Sequence, residues 1–261
     1  MPHAIPILLY HRIDTSGLPT ATTPEAFRRH LQWLYERGWR TLDADTFTHY
    51  LRTGRALPPH AFVITFDDGY ESIASAAFPV LQMFRYTAIS FLSTALMRGA
   101  RGGHPLPEGA SPHGNLYLSW EQVRALQSCG VVSFQSHTHT HGRFEERGIQ
   151  ALAADLDLSR QMLVQELGLP ASHFEHLAWP WGYSTPAWRT LAKKNGFKYQ
   201  YTVARQSFLR HMPCDTIPRT CFDATAFTAF QAQFRLQSGA LAQLWNLAYP
   251  VGRRLRHLTG I

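Results

Sequence analysis

Six short apolar runs, at 5–10, 61–66, 87–92, 131–135, 176–179 and 199–203, recur along the chain with helical patterns between them. Strands separated by stretches of helix length cannot pair as hairpins. They are joined by crossovers, and crossovers build parallel sheets. The expected fold class is therefore α/β. Several helices carry legible ends: Thr23-Pro24 and Thr185-Pro186 put a capping hydroxyl before a proline at the first helical position. Gly38, Gly130, Gly168 and Gly196 stand where a left-handed C-terminal cap is wanted, so helices are predicted near 24–37, 119–129, 150–167 and 186–195. A chain of 261 residues with 45% hydrophobic and 16% charged residues buries a real core, which excludes wholesale disorder and suits one barrel-sized domain.

Two of the apolar runs end in reactive groups. Phe62-Val63-Ile64-Thr65-Phe66 runs into Asp67-Asp68-Gly69-Tyr70, and the run 131–135 into Ser136-His137-Thr138-His139-Thr140-His141. In parallel α/β folds the C-terminal ends of strands are where sites are built. Asp-Asp-Gly alone is also a good turn sequence, but three imidazoles within five residues are harder to explain as a turn. His137 and His141, four apart, converge on one ion if the chain turns helically after the strand, with His139 pointing away. One carboxylate and two imidazoles supply about three protein ligands and leave a position open for water, while the second carboxylate stays free as a base. That division of labour suits amide hydrolysis.

These segments resemble the first two signature motifs of the NodB-like polysaccharide deacetylases, carbohydrate esterase family four. Ile7-Leu8-Leu9-Tyr10-His11-Arg12-Ile13, Phe78-Pro79-Val80-Leu81 and Leu118-Ser119-Trp120 are similar to connecting stretches of that family, so the likeness covers roughly residues 5–222. It implies a distorted, incomplete (β/α) barrel in a single domain, with Asp67 as general base and Asp68, His137 and His141 as metal ligands. The metal would be zinc by default, with nickel, cobalt or iron open to the same donors. Ala178-Trp179-Pro180-Trp181-Gly182 keeps only part of the third motif, because Ala178 stands where many members have the arginine that orients the base. Arg219 is the candidate replacement. Tyr70, Trp179, Pro180, Trp181 and Tyr183 are the candidate substrate contacts, the aromatic ones by stacking on sugar rings or else packing in the core. The motif that usually supplies the general acid is not evident near the C-terminus. His11, after the first strand, is assigned to the site because relatives resembling poly-N-acetylglucosamine deacetylases carry a Tyr-His pair there.

The implied activity is removal of N-acetyl groups from amino sugars of a polysaccharide or a lipid-linked glycan in envelope or exopolysaccharide synthesis. The alternative is a carbohydrate-binding homologue without turnover. The net charge of +7 raises nucleic acid as a partner, but the basic residues are scattered and no nucleic-acid module is recognisable, so none is expected. No run reaches the roughly 20 apolar residues that cross a bilayer, and no export signal is visible. Cys129, Cys214 and Cys221 match no zinc or redox spacing and are read as small buried hydrophobes, which suits a reducing cytoplasm. The chain is divided into a catalytic domain, 1–225, and a helical tail, 226–261. Leu241, Leu244, Trp245 and Leu247 followed by Arg253, Arg254 and Arg256 make that tail a candidate for peripheral membrane contact or for closing the barrel bottom. Oligomeric state has no sequence signal.

Overall fold

In the computed structural model residues 4–99 and 116–249 are described. The Gly- and Pro-rich segment 99–114 lies almost wholly outside them, as do Arg253, Arg254 and Arg256. The strands that matter for the site are β1 Ile7–Tyr10, β2 Arg40–Thr41, β3 Ala61–Phe66, β4 Ala88–Leu92, β5 Val132–Ser136, β6 His176–Ala178, β7 Tyr199–Tyr201 and β8 Thr220–Cys221. They form one curled parallel sheet in the order β7-β6-β5-β4-β3-β1-β8, with β2 pairing the start of β3. The two edges meet across a seam bridged by a few backbone hydrogen bonds, from Ile217 N to Gln200 O, Thr202 N to Ile217 O and Ala204 N to Arg219 O. The result is the distorted, incomplete barrel that the motifs imply.

All six residues of β3 are buried, because both faces of the sheet are covered. Phe62, Ile64 and Phe66 point outward to helix α1, Pro24–Glu36, and join Phe27, Leu31 and Leu34 in one core. Val63 points inward to Ile7, Ile89, Phe91 and Tyr201 in a second. Each fully buried side chain of this size contributes about 1.5–3 kcal/mol. The anticipated caps are in place: Thr23 Oγ1 accepts from Ala26 N, Thr185 Oγ1 from Trp188 N, and Gly168 ends its helix at φ 66°.

Four expectations need correction. The run 5–10 is two strands, Ala4–Ile5 and β1, because Pro6 has no N–H to continue a ladder. The helix expected at 150–167 is longer, Phe144–Leu167, with a non-helical Gly148 that hides its first turn from a periodicity count. None of the cysteines is buried: Cys129 is exposed, and Cys214 and Cys221 are half-buried. The tail is not one continuous helix. Its first part, Phe227–Leu236, lays Phe230 and Phe234 against Trp33 and stacks Phe230 on His30 at 4.0 Å, within the main core. The chain then breaks around Gly239, φ 62°, before a second helical run at 241–249. That run sits at the N-terminal ends of the strands, beside a cavity of about 570 Å³ between Ile5, Leu57, Ala61 and Gln243. Ala242 and Asn246 face the protein there, whereas Leu241, Leu244 and Leu247 are exposed. No helix among the described residues is long and apolar enough to cross a membrane.

Candidate active site

The other end of the barrel collects the chemistry. Asp67 is the next inward position after Val63 and Thr65, so strand alternation alone aims it into the barrel mouth. Asp68 takes a left-handed conformation, φ 70°, which aspartate tolerates, and this turns its carboxylate across the mouth instead of out to the helices. Gly69 follows at φ 82°, a conformation that favours glycine, and a Cβ there would also lie 2.7 Å from the side-chain tips of Leu92 and Met97.

His137 follows β5, and its Nδ1 donates to Ala178 O at 2.8 Å, which leaves the Nε2 lone pair facing the aspartates. That nitrogen lies 3.3 Å from Asp68 Oδ1, and His141 Nε2 lies 3.4 Å from the same oxygen. Burial, then the neighbouring His137, lowers the His141 pKa to about 4, so the ring is neutral and free to donate its lone pair at neutral pH. The two imidazoles converge as expected, but not through a helical turn. Thr138 and His141 both have positive φ, 68° and 52°, and the loop is tied down from helix Phe144–Leu167 by Asp155. Its carboxylate accepts from His139 N at 2.6 Å, Thr140 N at 3.1 Å and Thr140 Oγ1 at 2.5 Å. His139 points away, its Nδ1 on Thr94 Oγ1 at 2.8 Å.

Asp155 carries no motif, and sequence reasoning passed over it. Replacing it with alanine is expected to free the loop and weaken divalent-ion binding by about 10–100-fold. Metal titration of a variant that still unfolds cooperatively checks this, and unchanged affinity would show that the loop holds itself.

Arg219 reaches Asp67 from the opposite wall. Its Nη1 and Nη2 meet Asp67 Oδ1 and Oδ2 at 2.6 and 2.7 Å, a bidentate pair with both side chains buried. The guanidinium lies 5.2 Å from the Phe91 ring centre and 5.7 Å from that of Tyr201, which fixes its plane. Burial alone would raise the Asp67 pKa, but Arg219, with His137 and His11, outweighs it and holds the carboxyl below the usual range. A guanidinium thus reaches Asp67 from the residue that precedes β8, while position 178 holds an alanine.

His11 stands on the same rim. Its Nδ1 meets Asp223 Oδ2 at 2.5 Å, and its backbone N donates to Asp223 Oδ1 at 3.1 Å. Burial opposes its charge, but Asp223 and Cys221 overcome that and raise the pKa to about 11. Asp223 carries no motif, and the sequence reads Cys221 only as a small buried hydrophobe. Alternation puts Arg219, Cys221 and Asp223 on one face, but only the pairing of β8 with β1 brings that face to His11.

The substrate-contact residues divide. Trp181 is 55% exposed, holds a strained φ of 53°, meets the His141 ring edge-on at 4.5 Å and has the Arg143 guanidinium 4.7 Å from its ring centre. Tyr183 is also exposed. Tyr70 is half-buried at the mouth, stacked on Tyr117 at 5.1 Å. Trp179 is corrected: it is 1% exposed, its Nε1 donates to Gln200 Oε1, and it packs on Trp188 as core. Pro180 is likewise buried, so neither offers a surface to a sugar.

The donor set fits a divalent cation on one further observation. Asp68 Oδ1 is buried without a hydrogen-bond partner, although two imidazole nitrogens face it. An orphaned buried carboxylate oxygen is costly unless a cation completes it.

The chain is 32% identical over 133 residues to a poly-beta-1,6-N-acetyl-D-glucosamine N-deacetylase of Escherichia coli K12, covering 49% of this chain but 18% of that protein. It is 26% identical over 215 residues to the Staphylococcus epidermidis protein of the same description, covering 79% and 70%. In fold it is similar to the Streptococcus pyogenes deacetylase PplD, with a TM-score of 0.77, 18% identity and coverage of 92% and 100%. It is also similar to IcaB from Ammonifex degensii, with a TM-score of 0.73, 22% identity and coverage of 90% and 98%. A family profile described as polysaccharide deacetylase matches residues 54–200, more than half the chain, and the protein belongs to that family.

Proposed function

We propose that this protein is a metal-dependent N-deacetylase acting on a chain of N-acetylated amino sugars. The substrate named for several relatives, a β-1,6-linked N-acetylglucosamine polymer, is the first to test. The observation that carries the proposal is the meeting of two strand tips. The unpartnered Asp68 Oδ1 lies between His137 and His141, while Arg219-bound Asp67 has an oxygen 3.8 Å from His137 Nε2.

Asp68, His137 and His141 would hold the ion. A divalent cation there polarises a carbonyl and makes water a stronger acid, and zinc is the first choice for two imidazoles and a carboxylate. Asp67 takes the proton released as water adds to the amide carbon. Arg219 keeps that carboxylate ionised and fixed in direction, at some cost in basicity. When the C–N bond breaks, the sugar nitrogen needs a proton, and His11, which Asp223 holds protonated, is the group we assign to give it. Trp181 and Tyr183 form an exposed aromatic rim on which sugar rings stack. Acetate release from acetylated glucosamine oligomers, dependent on added divalent ion, is the expected result. Sugar binding without acetate release would instead make the protein a carbohydrate-binding homologue.

The His11 role has a signature apart from turnover. Its folded pKa, about 11, lies above the ordinary value of 6.5. Below the lower value both states hold the proton and the stabilisation is complete. Between the two values only the folded state holds it, so stability falls as pH rises. Urea unfolding midpoints compared at about pH 6 and about pH 9 should fall in the wild type and fall less in His11→Gln. Equal slopes would show that Asp223 does not hold a charged imidazole.

A further inference from the structure

We propose that His11, Cys221 and Asp223 form a second, inhibitory zinc site beside the first. The three come from two strand ends that β-pairing sets side by side, Cys221 being paired with Leu9. Cys221 Sγ lies 3.2 Å from Asp223 Oδ2, and His11 Nδ1 lies 2.5 Å from the same oxygen. One ligand atom from each of the three residues can be chosen so that all lie within 4.8 Å of one another, the spacing of donors around one small cation. The backbone N–H of His11 on Asp223 Oδ1 fixes the carboxylate, so the cluster is already organised without an ion.

A thiolate, an imidazole and a carboxylate are all zinc ligands, and three of them with an open fourth position match zinc's tetrahedral preference. The His11 side chain is one-fifth exposed and Cys221 is half-buried, so an ion has a route in. This triad shares no residue with Asp68, His137 and His141, so both sites can be filled together. Zinc takes the place of the proton between His11 and Asp223, opening their 2.5 Å contact to the roughly 3.3 Å that two donors about 2 Å from one tetrahedral ion require, and of the thiol proton of Cys221. Loading therefore forms bonds from the metal to nitrogen, sulfur and oxygen and releases two protons to solvent. The site itself stands on geometry alone. Its inhibitory effect rests on the reading of His11 as the acid, since zinc at Nδ1 leaves only the Nε2–H of a neutral imidazole, a weaker acid than the imidazolium.

Equilibrium dialysis against zinc chloride tests the stoichiometry, and cadmium chloride supplies a thiolate-to-metal charge-transfer band. Wild-type protein is expected to bind two equivalents and show the band. Cys221→Ser should bind one and lose it. Asp68→Asn should lose the first equivalent and keep the band, which separates this site from the other. Excess zinc should slow acetate release in the wild type more than in Cys221→Ser, each measured against its own rate at one equivalent. A wild type that takes up a single equivalent, or a band that survives Cys221→Ser, overturns the second site. Failure of Asp68→Asn to reduce binding would count against the first site and leave this one standing.

Discussion

Asp67→Asn is expected to lower acetate release by about 10²–10⁴-fold while the protein keeps its divalent ion, because the variant removes a base and no ligand. Asparagine has nearly the shape of aspartate, and its amide oxygen still accepts one of the two hydrogen bonds that Arg219 now gives Asp67. What it lacks is anywhere to put the proton of the attacking water. Asp68, one residue on, cannot stand in, since its left-handed backbone turns it to His137 and His141. Rates measured alongside metal content decide the matter. Near-normal turnover would remove Asp67 from the base role, and loss of metal would make it a ligand.

The two strands that deliver these groups were legible because nothing competes with their pattern. Val63, Thr65 and Asp67 alternate with Phe62, Ile64 and Phe66, and burial on both faces forces an unbroken apolar run that stops where the chemistry begins. The loop after His137 was legible in composition but not in shape. A spacing of four suggests helix, whereas Thr138 and His141 adopt positive φ that Asp155, a residue 14 to 17 positions away, helps to impose. Short-range periodicity carries no trace of such a tether. The partner of His11 was hidden for the same reason. Asp223 lies 212 residues downstream, and only the pairing of β8 with β1 brings it home. Trp179 and Trp181 show the limit for aromatics. They sit two apart in one motif, yet the first is core and the second exposed, because positive φ at Trp181 swings its ring out of the strand's alternation.

Removing the other half of the buried pair should damage folding more than any single change elsewhere in the site. Arg219→Met keeps an unbranched side chain between Phe91 and Tyr201 but leaves the Asp67 carboxylate buried without its counter-charge. Breaking a buried ion pair in this way costs about 3–5 kcal/mol. The carboxyl has one escape, which is to take up a proton. With Arg219 gone, burial becomes the dominant influence on its pKa and pushes it upward, so Asp67 turns neutral and stops serving as a base. In the wild type its lowered pKa makes Asp67 a source of stability that is present above the ordinary carboxylate range and lost as pH falls through the folded value; in Arg219→Met that dependence should reverse. The double variant Asp67→Asn with Arg219→Met removes both charges together and should be more stable than Arg219→Met alone, as a double-mutant cycle of unfolding free energies would read directly. Additive losses in that cycle would mean that the two side chains touch without depending on each other, and that some other group holds the base in place.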